Sequence, residues 1–310
     1  MAIVVFGSVF VDIKGHPFDT FVPNGRNSGW VETVYGGVSR NVTENLSNLG
    51  LEPVFVSIVD DTPIGNDVVD KLSSIGCDTT FIRRIPDSMG TWLAVFDDRG
   101  DVYASISKRP DLSPINAVLD EAGAEIFQNA DSVILEIDMP MDIVARIYSL
   151  AEKYSVPVYA LVSNISFALE NMDMIRRTEC FVCNLQEAEQ FFGESFEGYS
   201  PSLIAEKVST GIGRCGIRRM VVTLGENGSV FACSDGNCGV SPAKSVIPRD
   251  TTGAGDAFFT GVAASLTYGL SIGEACHNGT ILASETIMSY ENVVPRHDAS
   301  EFGIARPSKS

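Results

Sequence analysis

Asp250-Thr251-Thr252-Gly253-Ala254-Gly255-Asp256 runs directly into Ala257-Phe258-Phe259-Thr260-Gly261-Val262-Ala263-Ala264-Ser265-Leu266, an apolar stretch of helical period. The glycines therefore sit where a loop becomes a helix. The first N–H groups of a helix lack partners inside it, and small residues let an anion approach them at the positive end of the helix dipole. Locally, a plain helix start with Gly for the turn and Asp for the dipole gives the same pattern. An acid next to a phosphate cradle acquires a purpose if Asp256 removes a proton from a hydroxyl as a phosphoryl group arrives. The stretch thus reads as a general base beside an oxyanion cradle made by Gly253, Ala254 and Gly255.

A second glycine loop enters a second amphipathic helix. In Gly36-Gly37-Val38-Ser39-Arg40-Asn41-Val42-Thr43-Glu44-Asn45-Leu46-Ser47-Asn48-Leu49-Gly50, the residues Val42, Leu46 and Leu49 keep helical spacing and Gly50 ends the run. Together the two stretches resemble the paired signatures of the ribokinase-like, or PfkB, carbohydrate kinases, and the resemblance extends over nearly the whole chain. It implies that Gly36, Gly37 and Asn41 grip the phosphoryl acceptor, and that Asp256 with Gly253, Ala254 and Gly255 performs the transfer.

The rest of the chain is compatible with one domain spanning residues 1–310. Strand-like runs at Ile3–Phe6, Val54–Ile58, Ser132–Glu136, Val158–Val162, Cys180–Cys183, Met220–Leu224 and Val230–Cys233 alternate with helical patterns at 65–75, 114–128, 140–154, 185–192 and 201–214. Such alternation predicts an α/β fold with a mostly parallel sheet covered on both faces. Residues 14–35 and 88–107 break the alternation, the latter around the turn signal Asp97-Asp98-Arg99-Gly100, and predict a separate small sheet. The resemblance makes the whole a ribokinase-like three-layer α/β/α unit with that small β-sheet as a lid over the acceptor, and it implies a homodimer formed through the lid.

Charge and composition narrow the field. With 40 acidic and 22 basic side chains the formal charge is −18, which argues against nucleic acid or an acidic membrane surface as partner. Residues 3–6 form a short apolar run without a basic leader, so neither a signal peptide nor a membrane span is expected, and a cytoplasmic location follows. Seven cysteines are an odd number and are expected as thiols. Cys180-Phe181-Val182-Cys183 has CxxC spacing but lies in a strand-like run with no second pair, so a buried strand is the simpler reading. Gly211-Ile212-Gly213-Arg214-Cys215-Gly216 fits a dinucleotide fingerprint, yet it follows a helix and precedes a strand, the reverse of the required order. It reads as a helix C-terminal turn. No G-x-x-x-x-G-K-[ST] is present, so a P-loop kinase is excluded.

Further residues join the site through the resemblance. Asp12, following Val9-Phe10-Val11 near the end of the first strand, would hold two hydroxyls of a sugar, and Glu136 at the end of Val133-Ile134-Leu135 would face the same sugar. Asn184 and Glu187 match an Asn-x-x-Glu element that places Mg²⁺ and phosphate, Glu187 reaching the metal through water. Alone, that pair is equally a helix cap. Thr223, Gly225 and Gly228 resemble the loop beneath the nucleotide phosphates, and Asn278 falls where the family approaches adenine. ATP and Mg²⁺ are the implied cofactors, with K⁺ or another monovalent cation beside the backbone of Asp250 and Thr252.

The acceptor is a small sugar or nucleoside. Val38-Ser39-Arg40 replaces the Lys-Gly-Ala usual before Asn41 in the ribokinase branch, and with the Val11–Pro17 and Pro23–Gly29 segments it is most similar to the pseudouridine kinase branch. Phosphorylation of a primary hydroxyl, first of pseudouridine, is the expectation, and Phe10, Phe18, Trp30 or Trp92 would stack on the base. A ribokinase, fructokinase or other nucleoside kinase is the nearest alternative. A silent sugar or nucleotide sensor on the same fold would have no need of Asp256, and an NAD(P)H oxidoreductase fails on loop order.

Overall fold

A computed structural model describes residues 1–162 and 165–305. The first third of the chain forms β1 (Ala2–Phe6), β2 (Phe10–Pro17), β3 (Gly29–Gly36), α1 (Val38–Asn48), β4 (Val54–Val59), α2 (Pro63–Ser74), β5 (Ile82–Arg84), β6 (Gly90–Phe96) and β7 (Val102–Lys108). The middle contributes α3 (Ile115–Gln128), β8 (Ala130–Glu136), α4 (Met141–Tyr154), β9 (Val158–Leu161), α5 (Ile165–Glu170), α6 (Met172–Arg177), β10 (Phe181–Asn184) and α7 (Leu185–Phe192). The last third holds α8 (Pro201–Cys215), β11 (Arg219–Thr223), β12 (Ser229–Cys233), β13 (Cys238–Ser241), α9 (Ala254–Thr267) and α10 (Ile272–Met288).

β1 lies at the centre because its five residues are almost wholly apolar, as a strand covered on both faces must be. Its alternate residues serve two cores: Val4 and Phe6 pack with α3, α4, α7 and α8, while Ile3 and Val5 pack with α1, α2, α9 and α10. That is a three-layer α/β/α unit. The sheet order is β5-β4-β1-β8-β9, parallel throughout, followed by β10-β11-β12-β13, in which β12 alone runs against the others, antiparallel to both β11 and β13. At the seam between the two halves Glu179 N–H donates to Val158 O (2.8 Å), and the Thr178 hydroxyl takes Ala160 N–H (3.0 Å) while donating to Val158 O (3.0 Å). A side chain thus stands in for a ladder bond.

The small sheet has the order β3-β2-β6-β7. It begins at Phe10, before the expected residue 14, and Asp12 consequently belongs to a lid strand rather than to the end of the first strand. Between the two strands the chain passes Gly7, packed so closely on α1 that a Cβ would sit 2.0 Å from Ser39 Oγ, and leaves the central sheet. Asp12, Val34 and Trp92 lie abreast in the ladder with Ser107, and on this sheet face they look toward the central domain.

Two further differences are local. Gly211 and Gly213 are inside α8 and only Gly216 (φ 72°) forms its terminal turn. Gly211 is there because a Cβ would meet the Phe192 ring at 2.3 Å. Cys180 and Cys183 are buried free thiols held well above their ordinary pKa by burial, and no His/Cys/Asp/Glu cluster suited to a metal occurs among the described residues. No helix among the described residues is long and apolar enough to cross a membrane.

Candidate active site

The parallel strands all deliver their carboxyl ends to one edge of the sheet, the edge at which open α/β sheets bind ligands. There α9 begins at Gly253, whose left-handed φ of 79° only glycine adopts without strain, and a Cβ on it would lie 1.9 Å from Asn292 O. The first intrahelical bond is Ala257 N–H to Gly253 O (2.9 Å), which leaves the preceding N–H groups for other partners. Ala254 N–H folds back onto Thr251 O (3.3 Å), so it is less available to an anion than its neighbours. A Cβ on Gly255 would meet nothing beyond its own helix within 4 Å.

Asp256 is in the first turn of this helix, and its Oδ2 accepts from Asn41 Nδ2 at 2.6 Å. The contact joins the two glycine motifs across 215 residues of sequence. Burial raises the Asp256 carboxyl to about 6, opposed by the Asn41 hydrogen bond and by the positive charge of Arg40. Gly37 (φ 99°) starts α1 and cannot carry a side chain, because a Cβ would lie 2.7 Å from Ser8 O. Gly36 clears room for Asp12, whose Oδ2 would be 2.4 Å from an added Cβ. Burial raises Asp12 above the ordinary carboxylate range, with Lys14 and Arg40 pulling the other way.

Glu136 closes the opposite wall. Its carboxylate accepts from Ser8 Oγ (2.8 and 3.1 Å) and from Ser39 N–H (3.1 Å) in the first turn of α1, so it neutralises that helix start as well as facing the cavity. Burial pushes it up to about 7 despite those donors. Asp12, Gly36, Gly37, Asn41 and Glu136 thus line one cavity of about 770 Å³, together with Phe10, Trp92, Phe167, Arg109 and Asn292. Phe18 and Trp30 do not. Phe18 is exposed, and Trp30 stacks on His16 (ring centroids 4.3 Å) away from the cavity.

The nucleotide-side residues are spread along the same sheet edge. Asn184 and Glu187 form a capping box on α7: Asn184 Oδ1 accepts from Glu187 N–H (2.9 Å) and Glu187 Oε2 from Asn184 N–H (2.8 Å). This consumes one oxygen of Glu187. Thr223 ends β11 and leads into a single 3-10 turn from Gly225 (φ 59°) to Asn227, closed by Gly228, which a Cβ would drive to 2.1 Å from Ser241 O. Asp250 Oδ1 accepts from Thr252 N–H and Oγ1 (both 2.8 Å); burial opposes ionisation there, yet these bonds hold its carboxyl below the ordinary value. Asn278 is placed differently. It is buried in α10, and its amide NH₂ donates to Ser265 Oγ and Phe302 O (both 2.9 Å), tying helices together rather than facing a ligand.

Several cavity residues carry no motif that a sequence would reveal. Asn292 follows α10 in an aperiodic loop, and Phe167 and Arg109 lie in segments without a repeat. Arg40, buried behind Asn41 and outside the cavity lining, was visible in the sequence as a departure from Lys-Gly-Ala.

The sequence pattern of the pfkB family carbohydrate kinases matches residues 2–296. The chain belongs to the PfkB family. The guanosine-inosine kinase of Exiguobacterium acetylicum is 33% identical over 295 residues, covering 94% of this chain and 95% of that protein. The pseudouridine kinase of Escherichia coli is 24% identical, covering 88% and 86% respectively. Among solved structures, Arabidopsis thaliana ribokinase complexed with ribose and ATP superposes with a TM-score of 0.80 at 20% identity, covering 97% of this chain and 98% of the other. This PfkB protein is accordingly a sugar or nucleoside kinase, a phosphotransferase with an alcohol group as acceptor. Its three-layer domain and lid are the ribokinase-like fold.

Proposed function

We propose that this kinase transfers the γ-phosphoryl group of ATP to the 5′-hydroxyl of a nucleoside, with guanosine or inosine ahead of pseudouridine. The observation that carries the reading is the cavity: about 770 Å³, with Asn41, the hydrogen-bond partner of Asp256, in its wall and Phe10, Trp92 and Phe167 around it. A free ribose would leave most of that space empty, whereas a ribose with an attached base matches both its volume and its aromatic lining. Arg109 adds a fork of donors suited to the O6 and N7 edge of a 6-oxopurine. The 33% identity to a guanosine-inosine kinase favours the same order.

In this reading Asp12 accepts from the ribose 2′- and 3′-hydroxyls, and Gly36 keeps the approach open. Asp256 takes the proton of the 5′-hydroxyl as its oxygen attacks the γ-phosphorus in line, while the free N–H groups at the start of α9 receive the developing charge. Mg²⁺ would neutralise the phosphates, and a single free Glu187 oxygen suits an ion that keeps its waters. The 249–253 loop, bonded to Ile287 O through Arg249 N–H (2.8 Å), offers backbone carbonyls to a monovalent cation such as K⁺.

The outer lid face supports a homodimer. Leu93 (42% exposed) and Ile106 (71%) are ladder neighbours of each other, and Val31 (70%) and Val95 (38%) continue the same face.

Phosphorylation of guanosine, inosine, pseudouridine, uridine, adenosine and ribose by ATP and Mg²⁺, each beside Asp256→Asn, tests the reading. Turnover on oxopurine nucleosides, reduced on the order of 10²–10⁴-fold in Asp256→Asn with little change in ATP KM, is expected. Turnover on ribose alone would discard the nucleoside, and wild-type rates in Asp256→Asn would discard the base.

A further inference from the structure

The buried charges behind Asp256 have an arrangement that the phosphoryl transfer itself does not explain. Arg40 is 2% exposed, and its terminal nitrogens donate to Glu44 Oε2, Tyr35 O and Asn41 Oδ1, with Asn292 Oδ1 at 3.4 Å. Glu44 is equally buried and uses its other oxygen for Lys71 Nζ at 2.7 Å. A buried ion pair contributes little net stability on its own. This one touches Asn41, the amide that contacts Asp256 among the described residues.

An amide side chain has an accepting and a donating end, and its two orientations are nearly equal in shape. Only one serves a carboxylate. With Nδ2 toward Asp256 the pair is a charge-assisted hydrogen bond of 2.6 Å, while the flipped form would set Oδ1 against an anion. Arginine has donors and no acceptor, so its contact admits only the oxygen end of Asn41. Asn292 Nδ2 approaches the same oxygen at 3.4 Å. We propose that Arg40 is a positioning residue for phosphoryl transfer, its guanidinium fixing the Asn41 amide so that the NH₂ group holds the Asp256 carboxylate toward the acceptor. Glu44, anchored by Lys71, holds Arg40 in turn. The inference rests on Asp256 being the base.

The same network sets the charge felt by Asp256. The charged groups of this end of the sheet are Arg40 on α1, paired with Glu44 and through it with Lys71, which also meets Glu291; Asp12 and Lys14 on β2; Asp250 on the loop before α9; and Glu136 in the cavity wall. Arg40 is the charged group that acts on Asp256 directly, and it lowers Asp256 and Asp12 alike. Removing it should raise the Asp256 pKa, and removing its counter-ion should lower it.

The test compares wild type, Arg40→Met, Glu44→Gln, the double variant Arg40→Met/Glu44→Met and Asp256→Asn, with guanosine as acceptor. The ¹³C titration of the Asp256 carboxyl, assigned by its loss in Asp256→Asn, reads the same effect without turnover. Arg40→Met should lower kcat by roughly 10–100-fold with ATP KM within about twofold, as misplacement of a reacting group does. Its carboxyl titration should move up by about half to one pH unit, and Glu44→Gln should move it down. Should Arg40→Met fold poorly with Glu44 left unpaired, the double variant removes both buried charges and should show the same kcat loss. A carboxyl titration unmoved in these variants, or moved the same way by both, would overturn the proposal, as would wild-type kcat in the double variant. Full turnover by Asp256→Asn would instead reject the base itself.

Discussion

Glu136 lines the cavity and Asp256 is bonded to Asn41 in its wall, and burial raises both carboxyls, Asp256 to about 6 and Glu136 to about 7. For Asp256 in the proposed role of base the consequence is kinetic, since a base must be ionised and activity should then fall as pH drops through its value. For Glu136 the consequence is also thermodynamic. Between about 4.5, where the unfolded chain releases its proton, and about 7, where the folded protein does, the native state binds the extra proton, so stability falls as pH rises through that window. The loss is complete above about pH 7 and amounts to at most about 3 kcal/mol. Glu136→Gln keeps an acceptor for Ser39 N–H and Ser8 Oγ but carries no charge. Its melting temperature should therefore gain on wild type from pH 5 to pH 8, measured by scanning calorimetry across that range. A difference that stays constant with pH would show that Glu136 titrates normally.

In the proposed transfer the start of α9 is the phosphate cradle, and α9 touches α10 through glycine. A Cβ on Gly261 would lie 2.7 Å from Gly279 Cα, and one on Gly279 would lie 2.7 Å from Phe258 O. Since the obstacles are backbone atoms, Gly279→Ala must separate the helices. It should cost about 1–3 kcal/mol, seen as a lowered denaturation midpoint, and raise ATP KM because Gly253 and Gly255 move with α9. An unchanged midpoint would mean that the two helices are free to slide apart. Elements of this kind were readable because their periods are strong: β1, β4, β8 and β10 to β12, and α3, α4, α7 and α8, fall within a few residues of the positions expected from sequence. The three-residue β5, the edge strand β13 and the six-residue α5 and α6 are too short to show a period. Asp12 was placed on the wrong strand because the chain leaves the central sheet between Phe6 and Phe10, where Gly7 packs on Ser39, 32 residues away along the chain. In the site, motif residues such as Asn41 and Asp256 were legible because glycine loops flank them. Arg109, Phe167 and Asn292 were not, since only the folded chain brings them together, and Asn278 looked like a ligand contact because sequence does not show where an amide is spent.

At the scale of the molecule, a charge of −18 is spread over a surface that must still admit an anionic nucleotide, which leaves the attraction to local features such as the start of α9. Like charge also opposes self-association, so an apolar face left on such a surface asks for a covering. The lid supplies that face. Its inner side, with Asp12 and Trp92, looks into the cavity, and alternation along the strands puts Leu93, Val95, Val31 and Ile106 on the other side. A second lid laid against it would bury these side chains and brace the sheet that closes over the acceptor. Wild type is expected to sediment as a dimer at micromolar concentration, and Leu93→Asp/Ile106→Glu as a monomer. Placing carboxylates in a buried apolar contact should weaken association by more than about 100-fold, the effect of losing a hot spot of some 2–4 kcal/mol. If closure depends on the bracing, the monomer should also show a raised KM for the nucleoside with ATP KM little changed. A wild type that sediments as a monomer at those concentrations would reject the lid dimer, and an unaltered nucleoside KM in the dissociated variant would separate dimerisation from closure.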